Sequence, residues 1–140
     1  MIRSKLPSTG VSIFSVMSRL AAEHGAINLS QGFPDFECAP ELVEAVVRSM
    51  REGHNQYAPM LGVRVLREAL SNKIERIYGR RYDPESEITV TSGATEGLFS
   101  SLTALVQPGD EVVLLQPAYD AYAPVVQLCG GTPVFVTLRG

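Results

Sequence analysis

Cysteine is nearly absent from this sequence. Cys38 and Cys129 stand far apart and match no metal-ligand spacing, so no metal site is expected. No apolar run approaches the roughly 20 residues that a membrane-spanning helix needs. Neither sign of charge is in large excess. A net charge of −3 gives no electrostatic basis for binding nucleic acid or an anionic membrane. The opening Met1-Ile2-Arg3-Ser4-Lys5-Leu6-Pro7 lacks the apolar core of a signal peptide. A reduced, cytoplasmic protein is the expectation. Lysine is equally scarce, with only Lys5 and Lys73.

The 140 residues suffice for one domain of ordinary size, and 45% hydrophobic with 19% charged residues is a globular composition. Pro7 and Gly10 mark residues 1 to 11 as an extended arm. Ser12 is placed to cap a helix running to about His24, with Ile13, Val16, Met17, Leu20 and Ala21 on one face and Gly25 as its stop. A turn-rich loop follows at Gln31-Gly32-Phe33-Pro34-Asp35-Phe36. Pro40 suits the first turn of a second helix, whose stripe of Leu42, Val43, Val46, Val47 and Met50 is expected to be buried. A third helix is predicted from about Val63 to Tyr78, with Gly79 ending it and Arg64 and Arg67 on its polar face.

From Glu87 onward the pattern changes. Strands are predicted at Ile88–Thr91, Glu111–Leu115 and Thr132–Leu138, with helices at Thr95–Val106 and Tyr119–Leu128 between them. This β-α-β-α-β series implies parallel strands with right-handed crossovers. The unbroken apolar run Val112-Val113-Leu114-Leu115 reads as a strand covered on both faces. Such sheets bind ligands beyond the carboxyl ends of their strands. At one of these ends lies Ser92-Gly93-Ala94-Thr95-Glu96, and at the next lies Gln116-Pro117-Ala118-Tyr119. The first segment offers helix N-terminal N–H groups, a positive dipole end and a hydroxyl to an anion, yet it also fits an ordinary helix start. Tyr119 and Tyr122 fit either an aromatic wall for a planar phosphorylated ligand or simple packing of a helix start. The segment matches neither G-x-G-x-x-G nor the P-loop, which disfavours a doubly wound nucleotide-binding domain.

Four motifs in order resemble the class I/II aminotransferases of the fold-type I pyridoxal-phosphate family, nearest the methionine, glutamine and kynurenine branch. They are Ile27-Asn28-Leu29-Ser30-Gln31-Gly32-Phe33-Pro34-Asp35-Phe36; Gln56-Tyr57-Ala58-Pro59 with Gly62 and Leu66-Arg67; Thr91-Ser92-Gly93-Ala94-Thr95-Glu96; and Pro117-Ala118-Tyr119-Asp120-Ala121-Tyr122. The resemblance runs from about Leu6 to Leu138. It implies pyridoxal 5′-phosphate as cofactor, with Gly93, Ala94 and Thr95 holding its phosphate and Tyr119 stacking on its ring. It aligns Tyr57 with a tyrosine that reaches the cofactor phosphate of the other subunit, which implies a homodimer. Gly32 aligns with a glycine at the substrate carboxylate. Phe14 aligns with an aromatic near the substrate side chain, although a core role on the first helix fits it equally well.

The implied fold class is α/β. An N-terminal helical arm and part of a small domain precede the first β-α-β-α-β of a mostly parallel, doubly wound PLP-transferase sheet. The expected division is residues 1–36 as arm, helix and substrate loop, 37–86 as a helical segment, and 87–140 as the start of the large domain. No catalytic residue is assigned in this chain. The family's Schiff-base lysine lies well downstream, and Lys5 in the arm and Lys73 beside Glu75 and Arg76 do not match it. The alternation also stops just after a strand, so we expect an N-terminal portion of a longer aminotransferase, inactive alone, with an unpaired sheet edge and an incomplete core. The intact enzyme would move an amino group from a sulfur-containing, aromatic or glutamine-like amino acid to a 2-oxo acid. The alternatives are a carbon–sulfur β-lyase sharing the early motifs, and a non-catalytic module that binds cofactor or a partner.

Overall fold

A computed structural model describes residues 3–7, 9–32 and 34–140. Its contacts form two compact units, Met1–Phe33 with Gly93–Gly140, and Pro34–Ser92.

The first unit holds helix α1 (Ile13–Glu23), helix α4 (Ala94–Leu105), strand β1 (Glu111–Gln116), helix α5 (Tyr122–Leu128) and strand β2 (Thr132–Thr137). Ser12 caps α1, its Oγ accepting the Phe14 N–H at 3.3 Å. The strands pair in parallel, Glu111 opposite Thr132 through to Gln116 opposite Thr137. Two bonds set that register from outside the ladder: Gly109 N–H donates to Gly130 O at 2.9 Å, and Thr132 N–H to Asp110 O at 2.7 Å. Helix α5 crosses over between the strands and packs on both of them and on α4. Among the described residues the buried apolar side chains are Leu114 of β1 and Val126 of α5. A Cβ on Gly131 would fall 2.8 Å from Val106 Cγ1 and 3.1 Å from Val126 Cγ1, so only glycine lets the chain turn into β2 this close to the core.

The second unit holds α2 (Pro40–Arg51) and α3 (Arg64–Tyr78). Gly79 ends α3 in the left-handed conformation at φ 70°. Residues 82–87 fold back on α3. Buried Ser71 donates its hydroxyl to Tyr82 O, and buried Arg67 donates to Pro84 O. Arg64 stays on the surface, its guanidinium held above its ordinary value chiefly by the hydrogen bond to Glu68.

Four expectations are corrected. Ile88–Thr91 is not a strand. A strand exists only through a paired neighbour, and here the Val90 N–H goes to Leu61 O at 3.0 Å. Among the described residues the sheet therefore has two strands, and the series from α4 onward is α-β-α-β. Second, Arg67 is buried rather than on a solvated face. Third, the apolar stripes exist but are uncovered. Leu42, Val43, Val46 and Met50 of α2 are exposed, as are Val113 and Leu115 on one face of β1. Among the described residues α2 packs on no other helix or strand. Helix α5 also starts at Tyr122 rather than Tyr119, because Tyr122 N–H to Tyr119 O closes a turn first.

The accessible area gives the scale of this exposure. It is 11772 Å². Folded-monomer scaling predicts roughly 7,100 Å² for 15.2 kDa, and roughly 8,600 Å² even for two separate halves.

One acid-sensitive element lies in the second unit. Asp83 accepts the Ser86 hydroxyl at 2.5 Å and the Glu85 N–H at 3.1 Å, and these bonds, the hydroxyl first, hold its carboxyl below the usual range. Its folded pKa lies below its unfolded one, so its stabilisation is complete above the unfolded value and disappears as pH falls through the folded value. Amide exchange at Glu85 should stay slow just below the ordinary aspartate range and speed up only in stronger acid. Ser86→Ala should move that loss to higher pH.

Candidate functional site

An open cavity of about 520 Å³ lies in the first unit. One wall is the first two turns of α4, with Ala94, Thr95, Gly97, Leu98 and Ser101. The other is formed by Tyr119 and Tyr122, beyond the carboxyl end of β1. Gly93 sits at the helix N-cap with φ 84° and ψ 167°, a conformation open essentially to glycine alone. As a glycine it has no side chain with which to cap the helix. Gly97 N–H to Gly93 O is the first intrahelical bond, so the N–H groups of Ala94 and Thr95 precede the ladder and face the positive end of the dipole. An added Cβ on Gly93 would meet nothing within 4 Å, which leaves room in front of the turn.

The aromatic wall is braced. Tyr119 and Tyr122 meet edge to face, centroids 5.7 Å apart and planes at 75°. Tyr119 keeps 45% of its surface exposed, enough to present a ring face. The turn between them is tied from a distance. Asp120 Oδ2 accepts the Ser12 hydroxyl at 2.6 Å, the same hydroxyl that caps α1.

The cavity thus brings together Ala94, Thr95 and Tyr119, and Gly93 directly precedes Ala94 as the helix N-cap. Phe14 is half-buried on α1, two residues from the Ser12–Asp120 link. Gly32 lies exposed in the loop after α1, where an added Cβ meets nothing and φ is not positive. That loop is pinned by Asn28, whose amide donates to Ser18 Oγ and whose Oδ1 accepts from Ser30. Phe33, part of the same motif, lies outside the described residues. Tyr57 belongs to the second unit and projects fully, at 101% exposure. Lys5 is exposed in the arm, and Lys73 lies on α3 beside Asn72 and Arg76, so neither lines the cavity. The sequence places Leu98 on the apolar face of its helix with Leu102 and Leu105 but assigns neither Leu98 nor Ser101 to the site. Their positions, four and seven residues after Ala94, put them on its helix face, which was the available signal.

An anion site at one wall and a ring face at the other suit a planar phosphorylated ligand. A profile of the family described as aminotransferase class I and II matches residues 24–139. The chain belongs to that family. Its members use pyridoxal 5′-phosphate. The chain is 55% identical over 129 residues to a methionine aminotransferase of Escherichia coli, covering 92% of this chain and 33% of that protein. It is 43% identical over 135 residues to a probable N-succinyldiaminopimelate aminotransferase of Mycobacterium tuberculosis, covering 96% and 34%. A solved Escherichia coli structure described as having a methionine aminotransferase function superposes with a TM-score of 0.93 at 52% identity, covering 99% of this chain and 36% of that one. The chain spans about a third of the length of the curated relatives it matches.

The residues present fit the aminotransferase cofactor. The N–H groups of Ala94 and Thr95 suit its phosphate, the glycine lead lets the phosphate approach, and Tyr119 suits its ring.

Proposed function

We propose that this chain supplies the phosphate-binding turn and the ring-stacking wall of a pyridoxal-phosphate aminotransferase, moving an amino group from an amino acid to a 2-oxo acid. The observation that carries this is the meeting of the α4 N-terminus with Tyr119 in one cavity. Bound there, the cofactor would supply an electron sink for proton removal at the amino acid Cα. Ala94 and Thr95 hold its phosphate by backbone N–H groups, and Thr95 adds its hydroxyl. Tyr119 fixes the plane of the ring, Tyr122 braces Tyr119, and Leu98 keeps water from that side. Phe14 and Gly32 serve the substrate. Tyr57 reaches the phosphate site of a second subunit, so the working form is a homodimer; its full exposure supports this. The amino donor is sulfur-containing, aromatic or glutamine-like, in keeping with the methionine aminotransferase likeness. We place the protein in the cytoplasm, in keeping with its two free thiols, Cys38 and Cys129.

Equilibrium dialysis with pyridoxamine 5′-phosphate tests the reading. This amine form of the cofactor cannot condense with Lys5 or Lys73. Tyr119→Ala should weaken binding about ten-fold, the loss expected for one stacked ring and its buried area. Undiminished binding by that variant would overturn the stacking role. The 140-residue chain alone should show no transaminase turnover, since no lysine lines the cavity. Turnover that disappears in Lys73→Ala would refute this account of the catalytic amine.

A further inference from the structure

Asp120 stands in sequence between the two tyrosines of the cavity wall, yet it does not line that cavity. It lines a second open groove of the first unit, of about 440 Å³, together with Ser12, Ile13, Ala121 and Pro124. There its Oδ2 accepts the Ser12 hydroxyl at 2.6 Å. A hydroxyl has one proton to give, and Ser12 gives it to this carboxylate. Its lone pairs stay available, and one accepts the Phe14 N–H at 3.3 Å. One oxygen therefore serves both bonds without conflict. A hydroxyl-to-carboxylate bond is charge-assisted and stronger than a neutral one. The carboxylate also stands at the N-terminus of α1, where the helix dipole favours negative charge and where the first turn holds no acidic residue of its own.

Among the described residues α1 packs on no helix or strand, so this bond ties its start to the turn before α5. That turn is closed by Tyr122 N–H to Tyr119 O at 3.2 Å. Tyr119 itself keeps 45% of its surface exposed, and its ring meets Tyr122 edge to face. Such light packing leaves the direction of the ring to the backbone, and the next residue along that backbone is Asp120. We infer that Asp120 is a positioning residue for the cofactor ring. Held by Ser12, it fixes the turn from which Tyr119 projects, so that the ring face is presented in one direction. The same hydroxyl caps the turn of α1 that carries Phe14, so both aromatics are set from one point. This rests on the reading of Tyr119 as the stacking ring.

The test uses the protein expressed from its full reading frame. Two quantities are read: affinity for pyridoxamine 5′-phosphate, and amide exchange at Tyr122, whose N–H closes the turn. Asp120→Ala and Ser12→Ala remove the same bond from opposite ends. Each should speed Tyr122 exchange and weaken pyridoxamine 5′-phosphate binding about three-fold. Asp120→Asn keeps an acceptor oxygen and Ser12→Thr keeps the hydroxyl, so both should stay close to the parent. In a Tyr119→Ala background, Asp120→Ala should weaken binding no further, since the ring it positions is gone. A loss that persists in that background overturns the positioning role, because that is what general destabilisation gives. Unchanged affinity in Asp120→Ala and Ser12→Ala overturns it too, and unchanged Tyr122 exchange in both overturns the tie itself. If Tyr119→Ala alone binds as tightly as the parent, the stacking reading falls instead, and Tyr122 exchange still decides the tie.

Discussion

Gly93→Ala should lower affinity for pyridoxamine 5′-phosphate by about ten-fold or more while leaving pyridoxamine binding little changed. At φ 84° and ψ 167°, an L side chain costs about 1–3 kcal/mol of backbone strain. An added Cβ has no neighbour within 4 Å, so the penalty is conformational and not a clash. The turn relieves it by rotating its backbone, and that rotation swings the Ala94 and Thr95 N–H groups away from the anion. Donors in a preformed nest act together, so a modest local strain becomes a large loss of phosphate affinity. Equilibrium dialysis with the two ligands reads the effect directly. An alanine variant that retains full phosphate preference means the phosphate is held elsewhere.

The second large effect falls on stability. Leu114→Ala should cost about 2–5 kcal/mol, the range for a buried leucine that leaves a cavity. Leu115→Ala, one residue along the same strand, should cost less than about 1 kcal/mol in this chain, because exposed substitutions change little. Leu114 is 9% exposed and Leu115 is 55% exposed. Leu114 sits opposite Phe135, on a strand against which α5 packs. With Val126 as its buried apolar companion among the described residues, the first unit has little margin to absorb the loss. Urea denaturation of the two variants separates them, and equal midpoints would mean that β1 is covered on both faces.

That contrast also shows where sequence reading stops. The run Val112–Leu115 was read as covered on both faces, since hydropathy reports which surfaces favour burial and not whether a neighbour is present. The α2 stripe was read as buried for the same reason. Features decided within one turn were legible. Ser12 caps α1, Pro40 opens α2 and Gly79 ends α3, because each acts on backbone groups a few residues away. Features decided at long range were not. Ile88–Thr91 has strand composition but forms no strand, and Arg67 is buried by carbonyls at Gly62 and at Pro84, 17 residues away. The start of α5 falls at Tyr122 and not at Tyr119 because the bond from Tyr122 N–H to Tyr119 O closes a separate turn before the helix. Of the cavity, Tyr119 was legible because its motif follows a parallel strand, and Ala94 and Thr95 because the glycine before them opens a helix whatever precedes it. Leu98 and Ser101 were not, since a helix face becomes a wall only when something stands opposite it.

The Ser12–Asp120 bond joins residues 108 apart in sequence. A ribosome adding about 5–20 residues per second needs roughly 5–20 s to cover that interval. During that time α1 has emerged with Ile13, Met17 and Leu20, which are exposed in the structure, and its side-chain tie is a local one, from Asn28 to Ser18. Its first turn is capped at once by Ser12, yet its tether arrives only with the turn before α5. Helix α1 therefore forms well before the residue that tethers its cap is synthesised, so its capping and its tethering are separate events in the nascent chain.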